Sequence, residues 1–117
     1  MHAEPVFPKP RRARRTIAER VRDAVVALGR DHGEVLAHEE RPWASITFTG
    51  ALHLLTLHFE GADAVEAGEH LIAELPEHEF AMPGHLVADA EVTGVEQTML
   101  PEPRMVVAVA ILLLEDV

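Results

Sequence analysis

The sequence contains no cysteine and no tyrosine, and it has a single serine and a single lysine. The lack of cysteine excludes disulfides, thiolate metal sites and cysteine nucleophiles. Ser45 lies in a β-prone segment without a strained nucleophile turn, and Lys9 is the only lysine that could activate a hydroxyl. The glycines occur singly, which excludes the usual phosphate-binding loops. No motif therefore specifies a reaction, and whether the protein is an enzyme stays open.

Long apolar segments are also missing. The longest uninterrupted run is Val106 to Leu114, well below the ~20 residues that cross a bilayer as a helix. The N-terminus lacks the apolar core of a secretory signal. We expect a soluble, cytoplasmic protein with a disordered Pro/Arg-rich arm at 1–15 and a single α+β domain at 16–117.

Charge is distributed unevenly. Residues 1–15 carry +4, so the other 102 residues carry −14 of the total of −10. An acidic body repels nucleic acid and anionic membranes, so a polyanion could bind only through the arm. A polyanion-binding adaptor of this kind is one alternative function. Its candidate contacts are Arg11, Arg12, Arg14 and Arg15.

Two segments show the spacing of amphipathic helices. Thr16 and Glu19 form a capping box before apolar residues at helical spacing, which predicts a helix over about 16–30. Residues 61–76 show the same period and end at Pro76, which predicts a second helix.

The remaining segments indicate strands. Residues 43–49 and 52–59 are predicted to form a hairpin with a two-residue turn at Gly50 and Ala51. Residues 86–96 alternate as a half-exposed strand, and 105–114 are apolar on both sides, which is typical of a central strand. In the predicted hairpin, the core face carries Ala44, Ile46, Phe48, Leu55, Leu57 and Phe59. The opposite face carries Trp43, Ser45, Thr47, Thr49, Leu52, Leu54, Thr56 and His58.

The order of elements, α-β-β-α-β-β, predicts a two-layer α+β sandwich. Residues 52–59 and 105–114 are both apolar on the two sides of the strand, and placing them at the centre gives a four-stranded antiparallel sheet in the order third, fourth, second, first. This is a permuted ferredoxin-like order, 3-4-2-1. Each helix has one apolar stripe, so we expect both helices on the same face of the sheet.

The second sheet face then has no cover, and its apolar area exceeds what a monomer normally exposes. We expect a noncatalytic homodimeric binding or assembly module that dimerises through this face. The alternative is a small-molecule-binding protein or enzyme with a site at the sheet face or dimer seam. The candidate interface or ligand-face residues are Trp43, Ser45, Thr47, Leu52, Leu54, Thr56 and His58.

Eight histidines raise the question of a metal site. Glu66, His70 and Glu74 share a helix face, but a solvated face needs such residues in any case. The loop cluster of Glu77, His78, Glu79 and His85 is equally nonspecific. His53 and His58 point to opposite faces of one strand, and we expect His53 to be a neutral core imidazole bonded to backbone. No metal and no cofactor is predicted.

Overall fold

The computed structural model describes residues 15–115, and these form two helices and one antiparallel sheet of four strands. The sheet order is β1-β2-β4-β3, so the predicted α+β class and strand order are confirmed. None of the helices in this part of the chain is long and apolar enough to cross a membrane. The elements are α1 (Ile17–Leu28), β1 (Glu34–Ala44), β2 (Thr49–Glu60), α2 (Ala62–Glu74), a 3₁₀ turn (Leu75–Glu77), β3 (His85–Thr98) and β4 (Arg104–Glu115).

Helix α1 begins with the capping box that the sequence predicted. The backbone N–H of Glu19 donates to the Thr16 hydroxyl at 3.1 Å, and the Glu19 carboxylate accepts from the Thr16 backbone N–H at 3.3 Å. Two N–H groups at the start of the helix are thereby satisfied. The helix ends at Gly29.

The core lies between the two helices and one face of the sheet. Val21 and Val25 of α1 and Leu71 of α2 belong to one buried cluster with alternate residues of the central strands. Gly68 lets α2 approach closely, since a Cβ there would lie 2.8 Å from Sδ of Met105. Both helices thus pack on the same face. Its central-strand residues are Leu55, Leu57, Phe59, Met105, Val107, Val109, Ile111 and Leu113.

The predicted hairpin is wrong in its bounds and register. Strand β1 spans Glu34–Ala44 rather than 43–49, and a four-residue turn at 45–48 closes the hairpin. The Ser45 hydroxyl accepts from the backbone N–H groups of Thr47 and Phe48 at 3.3 and 3.0 Å, and the Ser45 N–H donates to the Phe48 carbonyl at 2.7 Å. These bonds hold the turn, as serine often does.

Two consequences of this turn correct the predicted faces. Ile46 and Phe48, predicted to lie in the core, are exposed. Gly50 is not a turn residue but pairs with Leu114 within the sheet. A Cβ at Gly50 would lie 2.1 Å from the Leu113 carbonyl oxygen, so this position needs glycine because the strands approach closely, not because the chain reverses.

The sheet face opposite the helices is called the open face below. Because directly paired residues share a face, the register assigns its central residues without ambiguity. They are Gly50, Leu52, Leu54, Thr56 and His58 on β2, with Val106, Ala108, Ala110, Leu112 and Leu114 on β4. Trp43 extends the apolar area on β1, and Leu86 extends it on β3. Within residues 15–115, neither helix covers this face.

Candidate ligand-binding cleft and open face

A cleft of about 150 Å³ opens on the helix side of the sheet, where β2 begins and β4 ends. Four of its residues carry ionisable side chains and come from all four strands. The cleft residues are Ile17, Glu40, Gly50, Ala51, His53, His85, Leu113 and Glu115. The strand pairing brings them together, since Glu40 pairs with His53, and His85 pairs with Glu115.

His53 is the central feature of this cleft. Its side chain has no solvent exposure, and its Nδ1 lies 2.9 Å from Nε2 of His38. Its Nε2 has no hydrogen-bond partner among the described residues. The nearest carboxylate oxygen, Oε1 of Glu40, is 4.0 Å away, which is too far for a hydrogen bond.

The neighbours of His53 determine which of its nitrogens carries the proton. A guanidinium nitrogen of Arg22 lies 3.4 Å from Nδ1 of His38, and arginine can only donate. His38 must therefore accept at Nδ1 and carry its own proton on Nε2. That proton is donated to Nδ1 of His53, so neutral His53 carries its proton on Nε2 and presents an N–H donor to the cleft.

Both imidazoles are held in the neutral form. Burial lowers the pKa of His38, and the nearby His53 and Arg22 lower it further against a weaker opposite effect of Glu40. Burial also lowers the pKa of His53, while Glu40 raises it and His85 lowers it. Since an unperturbed histidine titrates near pH ~6.5, both rings are uncharged at pH 7.

The carboxylates at the mouth of the cleft are more exposed. The Glu40 side chain is 53% exposed, and Glu115 is also exposed. The Thr49 hydroxyl donates to Oε2 of Glu115 at 3.0 Å, which orients this carboxylate. With both imidazoles of the His38–His53 pair neutral, the two carboxylates give the cleft a negative potential.

Residues 15–115 contain no group of three or more His, Asp or Glu side chains placed to hold a metal ion. The loop cluster considered from sequence is dispersed. His78 packs edge-on against Phe80 with ring centroids 4.6 Å apart, whereas His85 alone of that cluster lines the cleft.

The candidate ligand-face residues divide between two places. Leu52, Leu54, Thr56, His58 and Trp43 lie on the open face, whereas Ser45 and Thr47 lie in the hairpin turn.

The hairpin predicted with its turn at Gly50 and Ala51 would pair Trp43 with His58, and this pairing is wrong. Trp43 pairs with Gly50, and His58 pairs with Glu34. Eight residues of strand separate the two positions, roughly 26 Å at ~3.3 Å per residue. Trp43 and His58 therefore cannot contribute to one small-molecule site. His58 instead borders a separate cleft of about 240 Å³ that also contains Glu96 and Arg104.

The sequence analysis placed His53 on the core side of its strand but did not identify the side chains beside it. These neighbours, His38 and Glu40, belong to β1, and most of that strand was not predicted. Their spacing of two residues was the available signal, since i and i+2 share a strand face. A β-bulge between Val35 and Ala37 interrupts the alternation and obscures it.

The basic arm falls almost entirely outside the described residues. Arg11, Arg12 and Arg14 belong to that part of the chain, while Arg15 forms an ion pair with Asp23 on α1.

Comparison with known proteins finds no match. This holds for protein-family models, for curated proteins and for solved structures. The function has to be inferred from the protein's own residues.

Proposed function

We propose that the protein is a homodimeric assembly module that associates through its open face. The observation that carries this proposal is the continuous apolar surface along β2 and β4 on the side away from the helices. Its largest accessible members are the half-buried Leu52, Leu54 and Leu112, while Leu114 at the end of this face is already buried within the single chain, at 7% exposure. Monomeric proteins rarely leave so large a patch in water.

Three exposed apolar side chains at one end of the sheet support the same proposal. Ile46 and Phe48 in the hairpin turn are exposed, and Leu86 at the start of β3 is 56% exposed. All three lie at the end of the sheet where Gly50 pairs with Leu114. Of the three, Leu86 pairs with Leu114 and so extends the apolar part of the open face beyond the central strands.

The size of the face is adequate for a dimer. Four strands of 11 to 14 residues, about 4.8 Å apart and rising ~3.3 Å per residue, present a plane of roughly 700 Å². Specific interfaces bury about 800 Å² of accessible surface per partner, which a side-chain-covered plane of this size approaches. A second copy is the simplest occupant, because two identical faces pack sheet against sheet about a two-fold axis.

The edges of the open face are charged. Strand β3 contributes Asp89, Glu91 and Glu96, while Arg41 on β1 is held by Glu39 at 3.0 Å. A charged rim around an apolar centre is the usual anatomy of an interface between folded partners.

Leu54→Glu tests this proposal because Leu54 lies at the centre of the open face, paired with Glu39 and with Ala110. Burying an unpaired carboxylate costs several kcal/mol, about 3–5 for an uncompensated buried charge, and a two-fold axis doubles the effect. We expect Leu54→Glu to yield folded monomer in light scattering after size exclusion.

Two variants with the same substitution serve as controls. Leu55→Glu places the charge in the core, where Leu55 is 1% exposed, and should prevent folding. Leu100→Glu places it at a residue that is 80% exposed in the β3–β4 connection and should leave the dimer intact. An unchanged oligomer in Leu54→Glu would refute the proposed interface.

A further inference from the structure

The cleft beside His53 is separate from the open face and has features of a ligand site. His53 lines the cleft and is completely buried, and its Nε2 is unpartnered among the described residues. Buried polar groups in folded proteins are nearly always hydrogen-bonded. A buried N–H with no acceptor among the described residues points to an acceptor supplied by a bound molecule.

The direction of the hydrogen-bond chain limits what that molecule can be. Because Arg22 donates to His38 and His38 donates to His53, Nε2 of His53 carries a proton. A metal ion needs the lone pair of a deprotonated imidazole nitrogen. The geometry therefore favours a hydrogen-bond acceptor over a metal ion at this nitrogen.

The charge of the cleft indicates which charged group a ligand would carry. Glu40 and Glu115 both line it, and its lining includes no lysine or arginine among residues 15–115. A ligand carboxylate or phosphate would face two carboxylates of like sign. An ammonium group would be attracted to them and could donate charge-assisted hydrogen bonds.

The size and walls of the cleft set the scale of the ligand. A cavity of about 150 Å³ is comparable to one known to hold benzene. Ile17, Ala51 and Leu113 supply apolar walls between the polar groups. This combination suits a compact carbon skeleton with a few convergent polar groups.

We propose that this cleft binds a small amino alcohol or amino amide with a compact skeleton of about six to eight heavy atoms. Its hydroxyl or carbonyl oxygen accepts the hydrogen bond from Nε2–H of His53. Its ammonium group is held by Glu40 and Glu115. Arg22 and His38 are positioning residues, since they orient the His53 donor without touching the ligand.

Three compounds of nearly equal size test the two polar requirements separately. 3-Hydroxypiperidine carries both the ammonium and the hydroxyl, piperidine lacks the hydroxyl, and oxan-3-ol lacks the charge. Binding is followed by NMR of the histidine ring nitrogens in the full chain. We expect 3-hydroxypiperidine to shift the Nε2 resonance of His53 and to bind at least about tenfold more tightly than either analogue.

Carboxylate variants test the ligand's charged group without disturbing the core, because both side chains are exposed. Glu40→Gln and Glu115→Gln should each weaken binding of 3-hydroxypiperidine about tenfold. Glu66→Gln, at an exposed position on α2, is the matched control and should leave binding unchanged.

The same NMR spectra report the tautomer of His53 in the free protein, independently of any binding. A proton on Nε2 is expected. A proton on Nδ1, together with Zn²⁺ binding at Nε2, would make this a metal site and overturn the proposal. It is also overturned if 3-hydroxypiperidine does not bind, if all three compounds bind equally, or if both carboxylate variants bind as the native chain does.

Discussion

At the scale of single residues, the hydrogen bonding of the buried His53 is set by its neighbours on β1 and α1. The pairing of β1 with β2 sets His38 beside it, and Arg22 of α1 determines the direction of the hydrogen bonds. The sequence predicted the burial of His53 because it shares a strand face with the core residues Leu55 and Leu57. It could not predict the bond to His38, since that contact depends on the register of an unrecognised strand.

The histidine pair predicts a pH dependence of stability. Both pKa values are lowered in the folded state, so the unfolded chain binds protons at a higher pH than the folded chain does. The stabilising contribution of neutral histidine is therefore complete above pH ~6.5 and is lost as the pH falls below it, towards the folded pKa values.

Urea unfolding at pH 7.5, 6.5 and 5.5 measures this effect. We expect the free energy of unfolding of the native chain to decrease over this interval and the decrease to be smaller in His53→Gln. His32→Gln, at an exposed residue after α1, should behave as the native chain does. Equal pH dependence in His53→Gln and the native chain would contradict the assignment of the effect to this pair.

We expect a single methyl group added at Gly50 to lower the free energy of unfolding strongly. In Gly50→Ala the new Cβ would meet the Leu113 carbonyl oxygen, a backbone atom that moves only if β2 and β4 shift apart. We expect a loss of about 2 kcal/mol or more in the free energy of unfolding, at the upper range of overpacking effects.

Gly94→Ala is the matched control for this substitution. The nearest atom to a Cβ at Gly94 is Cβ of Ala108 at 3.8 Å, an ordinary contact. Alanine there should change stability by less than about 1 kcal/mol, and a small gain is expected because glycine weakens a strand. Similar losses in both variants by urea unfolding would show that the close approach at Gly50 is not the cause.

At the scale of elements, the apolar periodicity of the sequence predicted both helices and most of the strands. The two helices and strands β3 and β4 lie where their patterns indicated, because each buries a regular stripe or a whole central strand. The pattern failed at β1, an edge strand. Its sequence, 34-EVLAHEERPWA-44, contains the charged and polar run 38-HEER-41 and Pro42, which an edge strand tolerates.

The error in the predicted hairpin also has a physical explanation. Residues 45-SITF-48 have high β-propensity, but propensity describes fit to a half-buried surface and not the backbone alone. The Ser45 hydroxyl offers two backbone N–H groups a local acceptor, and this favours a turn. The apolar side chains of Ile46 and Phe48 are consequently exposed.

The turn gives a prediction at this scale. Ser45→Ala removes an acceptor for two backbone N–H groups and should lower the free energy of unfolding by about 1 kcal/mol. Thr47→Ala alters a neighbouring side chain that makes no hydrogen bond within residues 15–115 and should cost less than half as much. Chemical denaturation of the two variants provides the comparison, and equal effects would argue against Ser45 as the residue that holds the turn.

At the scale of the whole molecule, the sheet separates two surfaces with different proposed roles. The helix side contains the core and, at one end, the cleft around His53. The other side is the open face, which the two central strands make apolar. The nine-residue apolar run in β4 follows from this arrangement, since one set of its side chains enters the core and the other lies on the open face.

The central claim, that the open face is covered by a second copy, is tested most directly by sedimentation equilibrium of the native chain at micromolar concentration near pH 7.5. The account predicts a molecular mass twice the 12.9 kDa of the single chain. It also predicts that Leu54→Glu sediments at the single-chain mass under the same conditions. A native chain that sediments as a monomer throughout this range would contradict the account.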